Sequence, residues 1–218
     1  MEAPDNPEFW NRAARTREFT HPLDRERLTR LLPRDAVILD YGCGQGRLAG
    51  ELIELGYINV LGIDSSAEMI RIARERVPDA GFAENDGEHL PCGDASVDAV
   101  LLFAVLTCIA ADDAQKNLLR EFKRILRPGG LLLVSDYPLQ ADARNLQRYE
   151  LFAQELGGYG RFRLAGGAVL RHHSREWFDD LLTGFQVEEP VELDAKTMNG
   201  NPARILQLWA HRASEKGT

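Results

Sequence analysis

Short apolar runs and stretches of helical period take turns along the first two thirds of the chain. "AVILDY" (36–41) is brief, rich in β-branched residues and bounded by turns, the pattern of a buried strand. "GRLAGELIELG" (46–56) puts apolar residues at 48, 52, 53 and 55, one face of a helix that Gly56 closes. "NVLGID" (59–64) is the next strand, and "SAEMIRIARERV" (66–77) is a helix that Pro78 stops. "FAEND" (82–86) reads as a strand end. "VDAVLLFAVL" (97–106) begins as a buried strand, and "DAQKNLLREFKRIL" (113–126) is an amphipathic helix. "PGG" (128–130) turns the chain into the strand "LLLVSDY" (131–137). Strands separated by helices predict βαβ crossovers and an α/β fold, a mostly parallel sheet with helices on both faces.

The two ends depart from this rhythm. Residues 8–32 read as helical, interrupted at Pro22, with Asp24 capping a second helix that runs to Leu32. After Tyr137 a helix is expected over 141–156, then the glycine- and aromatic-rich stretch "LGGYGRFRLAGGAVLRHH" (156–173), then a helix over 175–185. "QVEEPVEL" (186–193) and "ARILQLWAHR" (203–212) read as strands, an antiparallel closing pair. The stretch between the fifth and sixth strands should lie over the carboxyl edge of the sheet, where doubly wound folds bind ligands.

Three glycines fall on alternate positions after the first strand: Gly42, Gly44 and Gly46 in "VILDYGCGQGRLAG". The dinucleotide fingerprint G-x-G-x-x-G would require a third glycine at position 47, which is Arg47. No Tyr-x-x-x-Lys pair stands out either, so a nicotinamide oxidoreductase is disfavoured. The pattern D-x-G-x-G-x-G, Asp40 to Gly46, resembles motif I of class I S-adenosylmethionine (SAM)-dependent methyltransferases. A carboxylate at that point suits a cationic amino-acid ligand and is awkward beside a pyrophosphate. "RILRPGGLLLVSD" is similar to the segment leading into the fifth strand of these enzymes, and the resemblance covers roughly residues 37–137.

The resemblance implies a doubly wound seven-stranded sheet, mostly parallel, with an antiparallel closing strand and an N-terminal helical lid. It implies one domain: lid 1–34, SAM-binding core 35–137, acceptor cap 138–184 and closing strands 185–212. It places Asp40, Gly42, Cys43, Gly44, Gly46 and Arg47 around the cofactor, with Asp64 at the ribose, flanked by Ser65 and Met69. Asp86 and Gly87 should lie near the adenine, and Phe103 at the end of the fourth strand. The implied cofactor is SAM, leaving as S-adenosylhomocysteine.

The chemistry of methyl transfer leaves few marks on a sequence. Much of the catalysis comes from aligning nucleophile and methyl and excluding water, and a base is needed only for an acceptor that must lose a proton. The place after the fourth strand reads "LLFAVLTC", without the Asn/Asp-Pro-Pro-aromatic signature of base and glutamine methylation. Asp112 and Asp113, the first acids beyond it, read as the start of a helix, so no metal is expected. The size and arrangement look most like small-molecule methyltransferases of bacterial secondary metabolism, with O, N or S acceptors. Phe9, Trp10, Phe19, Tyr159 and Phe162 are candidates to wall an acceptor pocket. His21, His172, His173 and Tyr159 are the candidate catalytic side chains. Each histidine also has a plain structural reading, since Ser174 is a natural N-cap just after His173. Asn199 and Asn201 flank Gly200 in an expected turn and could also offer amides to an acceptor.

Charge narrows the partners. The chain has 218 residues with 26 Lys+Arg against 34 Asp+Glu, a formal net charge of −8. No global positive field attracts nucleic acid. Arg161, Arg163, Arg171 and Arg175 form a local basic run that keeps an RNA or protein methyltransferase as the alternative. A SAM-binding subunit without activity is a further reading. The three cysteines, Cys43, Cys92 and Cys108, lack metal-site spacing and read as reduced thiols. No signal-like or bilayer-length apolar segment is evident, so a cytoplasmic monomer or homodimer without membrane contact is expected.

Overall fold

The computed structural model describes residues 7–14, 20–85 and 89–213. Helices α1 (Pro7–Ala13) and α2 (Arg25–Leu31) come first. Strand and helix then alternate through β1 (Val37–Tyr41), α3 (Arg47–Glu54), β2 (Asn59–Asp64), α4 (Ala67–Arg76), β3 (Gly81–Glu84), β4 (Val97–Phe103), α5 (Asp112–Ile125) and β5 (Leu126–Asp136). Next come α6 (Ala143–Phe152), the hairpin of β6 (Arg161–Arg163) and β7 (Val169–Arg171), and α7 (Arg175–Leu181). β8 (Phe185–Val187), β9 (Val191–Lys196) and β10 (Pro202–Arg212) close the chain.

The sheet order is β3-β2-β1-β4-β5-β10-β8, with β9 also paired to β10. Neighbours from β3 to β5 are parallel, and β10 runs antiparallel to β5, β8 and β9. The expected mostly parallel sheet with an antiparallel closing strand therefore forms. β1 lies between β2 and β4, so the winding reverses there and a crevice opens beyond their carboxyl ends.

Both faces of the sheet are covered, which explains the unbroken apolar runs. In β4, Val100 and Leu102 pack on one side with Phe122 and Ile125 of α5. Ala99, Leu101 and Phe103 alternate onto the other side with Leu48 and Leu52 of α3 and Ile70 of α4. Phe122 is completely buried, and its truncation to Ala would cost about 3–5 kcal/mol.

Some expected boundaries shift. The strand expected over 186–193 is two segments that share one edge of β10, with Val187 opposite Ala210 and Val191 opposite Gln207. Pro190 sits between them and has no N–H to give the ladder. β5 starts at Leu126, and its pairing jumps from Val97↔Leu126 to Ala99↔Leu131, so the "PGG" turn is looped out within the strand. α6 ends at Phe152 and α7 at Leu181, short of the expected 156 and 185. β4 ends at Phe103 because Ala104 takes a left-handed φ of 56° and leads into a 3-10 turn over Leu106–Cys108. No cysteine among the described residues is in a disulfide.

Candidate active site at the carboxyl edge of the sheet

The loop from β1 to α3 is held in place by its own backbone. Gly42, Gly44 and Gly46 all lie in the left-handed region, with φ of 69°, 53° and 80°. The N–H groups of Gly42 and Cys43 both donate to the Ile63 carbonyl, at 2.8 and 2.9 Å, which fastens the loop to β2. A Cβ on Gly42 would sit 2.4 Å from Cγ2 of Val105, so the position needs glycine for both space and conformation. Gly46 is the N-cap of α3 and has no side chain to cap with. The Ala49 N–H of the helix's first turn lies near the Asp40 carboxylate and favours the charged form of that acid.

A cavity of about 560 Å³ opens over this loop. Asp40, Gly42, Cys43, Gly44, Arg47, Asp64, Ser65, Met69 and Phe103 line it, all expected from the sequence. Gly46 lines it not at all and packs toward Phe82 and Ala73 instead. Asp86 and Gly87 lie outside the described residues. Trp10, Gln45, Arg76 and Asn85 also line the cavity and were not assigned to the cofactor from sequence. Asn85 adjoins the expected Asp86, which is the nearest thing to a sequence signal for it.

The two acids differ in kind. Asp64 is oriented by backbone: Oδ2 accepts from Gly44 N–H and Oδ1 from Ser66 N–H, both at 2.9 Å. Asp40 is almost fully buried, and desolvation pushes its carboxyl up to about 7 despite Arg47 nearby. Its Oδ2 has no hydrogen-bond partner.

A second, inner cavity of about 80 Å³ adjoins the first, and Trp10, Thr20, Arg47, Phe103, Ala104 and Cys108 line both. His21 and His172 line the inner cavity, beside Tyr137, Phe162, Asn199 and Asn201. His21 Nδ1 lies 3.1 Å from both the Ser135 carbonyl and the Ser135 hydroxyl. A carbonyl only accepts, so Nδ1 carries the proton and Nε2 presents a lone pair. That Nε2 is buried without a partner. Burial holds the His21 ring down to about 4. His172 stacks on Tyr137, and its Nδ1 meets the Tyr149 hydroxyl at 2.5 Å. Burial lowers its pKa well below the ordinary histidine value.

The other catalytic candidates lie elsewhere. His173 is buried outside both cavities, with Nε2 at 2.8 Å from the Gln115 amide, and burial lowers it to about 3. Ser174 after it caps α7, accepting from Trp177 N–H. Tyr159 is 50% exposed and lines neither cavity, its ring packed edgewise on Tyr149. Of the expected aromatic walls, Trp10 and Phe162 line the inner cavity, and Phe9 is buried against Ala168. Phe19 lies outside the described residues. Asp112 and Asp113 do begin α5, and Asp112 pairs with Arg161 and Arg171.

Unpaired polar atoms gather here. Among the described residues seven buried side-chain atoms lack a partner, and five of these belong to cavity-lining residues: Asp40 Oδ2, His21 Nε2, Arg47 Nε, Thr107 Oγ1 and Arg148 Nε. Each such group costs about 1–3 kcal/mol unless something satisfies it. Their clustering makes the two adjoining cavities the candidate ligand sites.

Residues 39–134 match the protein family described as "Methyltransferase domain". The chain is 34% identical over 149 residues to trans-aconitate 2-methyltransferase of Azoarcus, covering 67% of this chain and 55% of that protein. It is 31% identical over 114 residues to a mouse tRNA (carboxymethyluridine(34)-5-O)-methyltransferase, covering 52% of this chain and 16% of the relative. This chain thus spans little more than half the length of the first and a small part of the second. A crystal structure of a SAM-dependent methyltransferase from Methanosarcina mazei superposes with a TM-score of 0.83 at 24% identity, over 91% of this chain and all of that one. With its sheet order, its glycine loop and its matched segment, the chain has the Rossmann-like methyltransferase fold, and residues 39–134 match a methyltransferase domain.

Proposed function

We propose that this protein transfers a methyl group from SAM to an O, N or S atom of a small molecule held in the inner cavity. The carrying observation is that the two adjoining cavities hold five of the seven unpartnered buried polar atoms. The outer cavity's residues fit SAM. Asp40 Oδ2 is a buried carboxylate oxygen awaiting a cation, which suits the α-ammonium. Asp64 lines this cavity with its carboxylate oriented by two backbone N–H groups, and a carboxylate can accept the ribose hydroxyls. When bound, SAM supplies an electrophilic methyl on a sulfonium.

The chain's own residues then position and shield. Trp10, Phe103 and Ala104 wall both cavities, so they bracket the place where the two ligands meet and exclude water there. His21 Nε2 can accept the proton of an acceptor O–H or N–H, and Ser135 holds its ring through Nδ1. The acceptor's lone pair would take the methyl that bound SAM supplies, leaving S-adenosylhomocysteine, while His21 would take the acceptor's proton at Nε2 and later release it to solvent.

The geometry speaks against a polymer acceptor. Arg161 and Arg171 share Asp112, Arg163 pairs with Glu155 and Arg175 with Glu192, so much of the charge of the basic run is answered within the chain. The test is incubation with methyl-labelled SAM and a cell extract split into small molecules, RNA and protein. Label in the small-molecule fraction supports this reading. Label on RNA or protein overturns it. SAM binding without label in any fraction supports a binding subunit instead.

A further inference from the structure

We infer that the acceptor carries a carboxylate, anchored by Arg148 with Arg144 and Lys196 on the wall of the inner cavity that the outer cavity does not share. This rests on the proposed methyl transfer only for what the anchored molecule is used for.

The inner cavity departs from the rest of the protein in its charge. The chain carries a formal −8. Yet Arg47, Arg144, Arg148 and Lys196 line this cavity, with neither Asp nor Glu among its lining residues. Glu51 answers Arg47 at 2.7 Å. Arg144 reaches Asp142 only at 3.8 Å. Among the described residues, no carboxylate pairs with Arg148 or Lys196. The arginines of the basic run, by contrast, all have acidic partners.

Arg148 is built to hold a planar anion. Its guanidinium carbon lies 3.3 Å over the centre of the Phe162 ring, so one face is spent on the aromatic and the plane is fixed. Its Nε is buried and unpartnered. A stacked guanidinium offers its edge, a fork of parallel N–H donors that matches the two oxygens of a carboxylate. Arg144 lies four residues earlier on α6, on the same face, and adds a second positive charge.

The carboxylate is an anchor and not the methylated group. The three cations line the inner cavity alone, away from the shared wall. A guanidinium also draws electron density from the oxygen it binds, which weakens that oxygen as a nucleophile. The His21 Nε2 lone pair would repel a carboxylate and welcome an O–H or N–H. The acceptor is thus a small acid that bears a separate hydroxyl or amine.

The test follows the Arg148 Nε–Hε resonance, assigned by its loss in Arg148→Lys, with and without S-adenosylhomocysteine. Acetate, acetamide and inorganic phosphate are the probes. The expected result is a saturable shift with acetate, none with acetamide, and weaker binding of phosphate. In Arg148→Lys and separately in Arg144→Gln, acetate affinity measured by calorimetry should fall, at least tenfold in the first, with S-adenosylhomocysteine affinity unchanged. A response to acetamide equal to that of acetate overturns the inference, as does a purely linear drift with acetate or a preference for phosphate. If acetate saturates but S-adenosylhomocysteine does not bind, the anion subsite stands and the methyl-transfer reading falls. If S-adenosylhomocysteine binds and acetate does not, only the carboxylate inference falls.

Discussion

The N–H of Gly44 lies 2.9 Å from Oδ2 of Asp64, so the glycine loop after β1 and the acid ending β2 form one unit. The bond presents the Asp64 carboxylate to the outer cavity before any ligand arrives. Asp64→Ala removes the charged acceptor of two backbone N–H groups, and hydrogen bonds to a charged group contribute about 1.5–3 kcal/mol each. S-adenosylhomocysteine affinity should fall at least tenfold and the ligand-free protein should melt lower. Calorimetric titration and thermal unfolding of the variant check both.

Asp40 makes ligand binding depend on pH. An acid raised to about 7 in the fold keeps a proton that the unfolded chain, near 3.9, has already released. Its contribution to stability therefore falls as pH rises from about 4 to about 7. Asp40→Asn, free of ligand, should be more stable than the native protein at pH 8 by on the order of 1–3 kcal/mol, with the gain vanishing near pH 4. Only the ionised carboxylate attracts an ammonium, so native affinity for S-adenosylhomocysteine should rise about tenfold from pH 6 to pH 8. The asparagine variant should bind weakly at all pH values. Flat affinity in the native protein would contradict the assigned role.

His21 should show its part in rate and not in cofactor binding. A general base is worth on the order of a hundredfold or more, so His21→Asn should lower kcat by about that factor, with S-adenosylhomocysteine affinity nearly unchanged. Burial holds the ring to about 4, so it stays neutral far below the ordinary histidine range. At saturating SAM, kcat should therefore show no fall near pH 6.5 from this group. The same depressed value costs stability in acid: the unfolded chain takes a proton that the folded ring refuses, so stability falls from about pH 6.5 toward about 4.

Gly42 tests the loop's geometry. Gly42→Ala adds a methyl 2.4 Å from Val105 Cγ2 at a φ of 69°. Overpacking costs about 1–3 kcal/mol and the left-handed conformation about 1–2 more. Adding Val105→Ala should recover the packing part and leave the conformational part. Denaturant unfolding of the four proteins of this cycle separates the two.

The outer cavity was legible in the sequence because its parts are local. The D-x-G-x-G-x-G loop and Asp64 lie within 25 residues, and strands buried on both faces announce themselves as apolar runs. The inner cavity was not legible, because α1, the segment at His21, α6, β7 and the turn after β9 bring it together from distant parts of the chain. Arg144 and Arg148 belong to no sequence motif, and only the fold brings them beside Phe162, His172 and Asn199. Neighbouring His172 and His173 could not be told apart, but successive residues of extended backbone point opposite ways. His172 thus meets the cavity and His173 the core beside Gln115. The arginines of the basic run looked free because Asp112 and Glu192, which answer three of them, lie on other elements.

The most direct measurement is calorimetric titration of S-adenosylhomocysteine into the native protein, Asp40→Asn and Asp64→Ala, in two buffers of different ionisation heat at pH 6.5. The account predicts one site per chain, release of a proton from Asp40 on binding, and a large loss of affinity in both variants. No binding to the folded native protein, or equal affinity in all three, would contradict it.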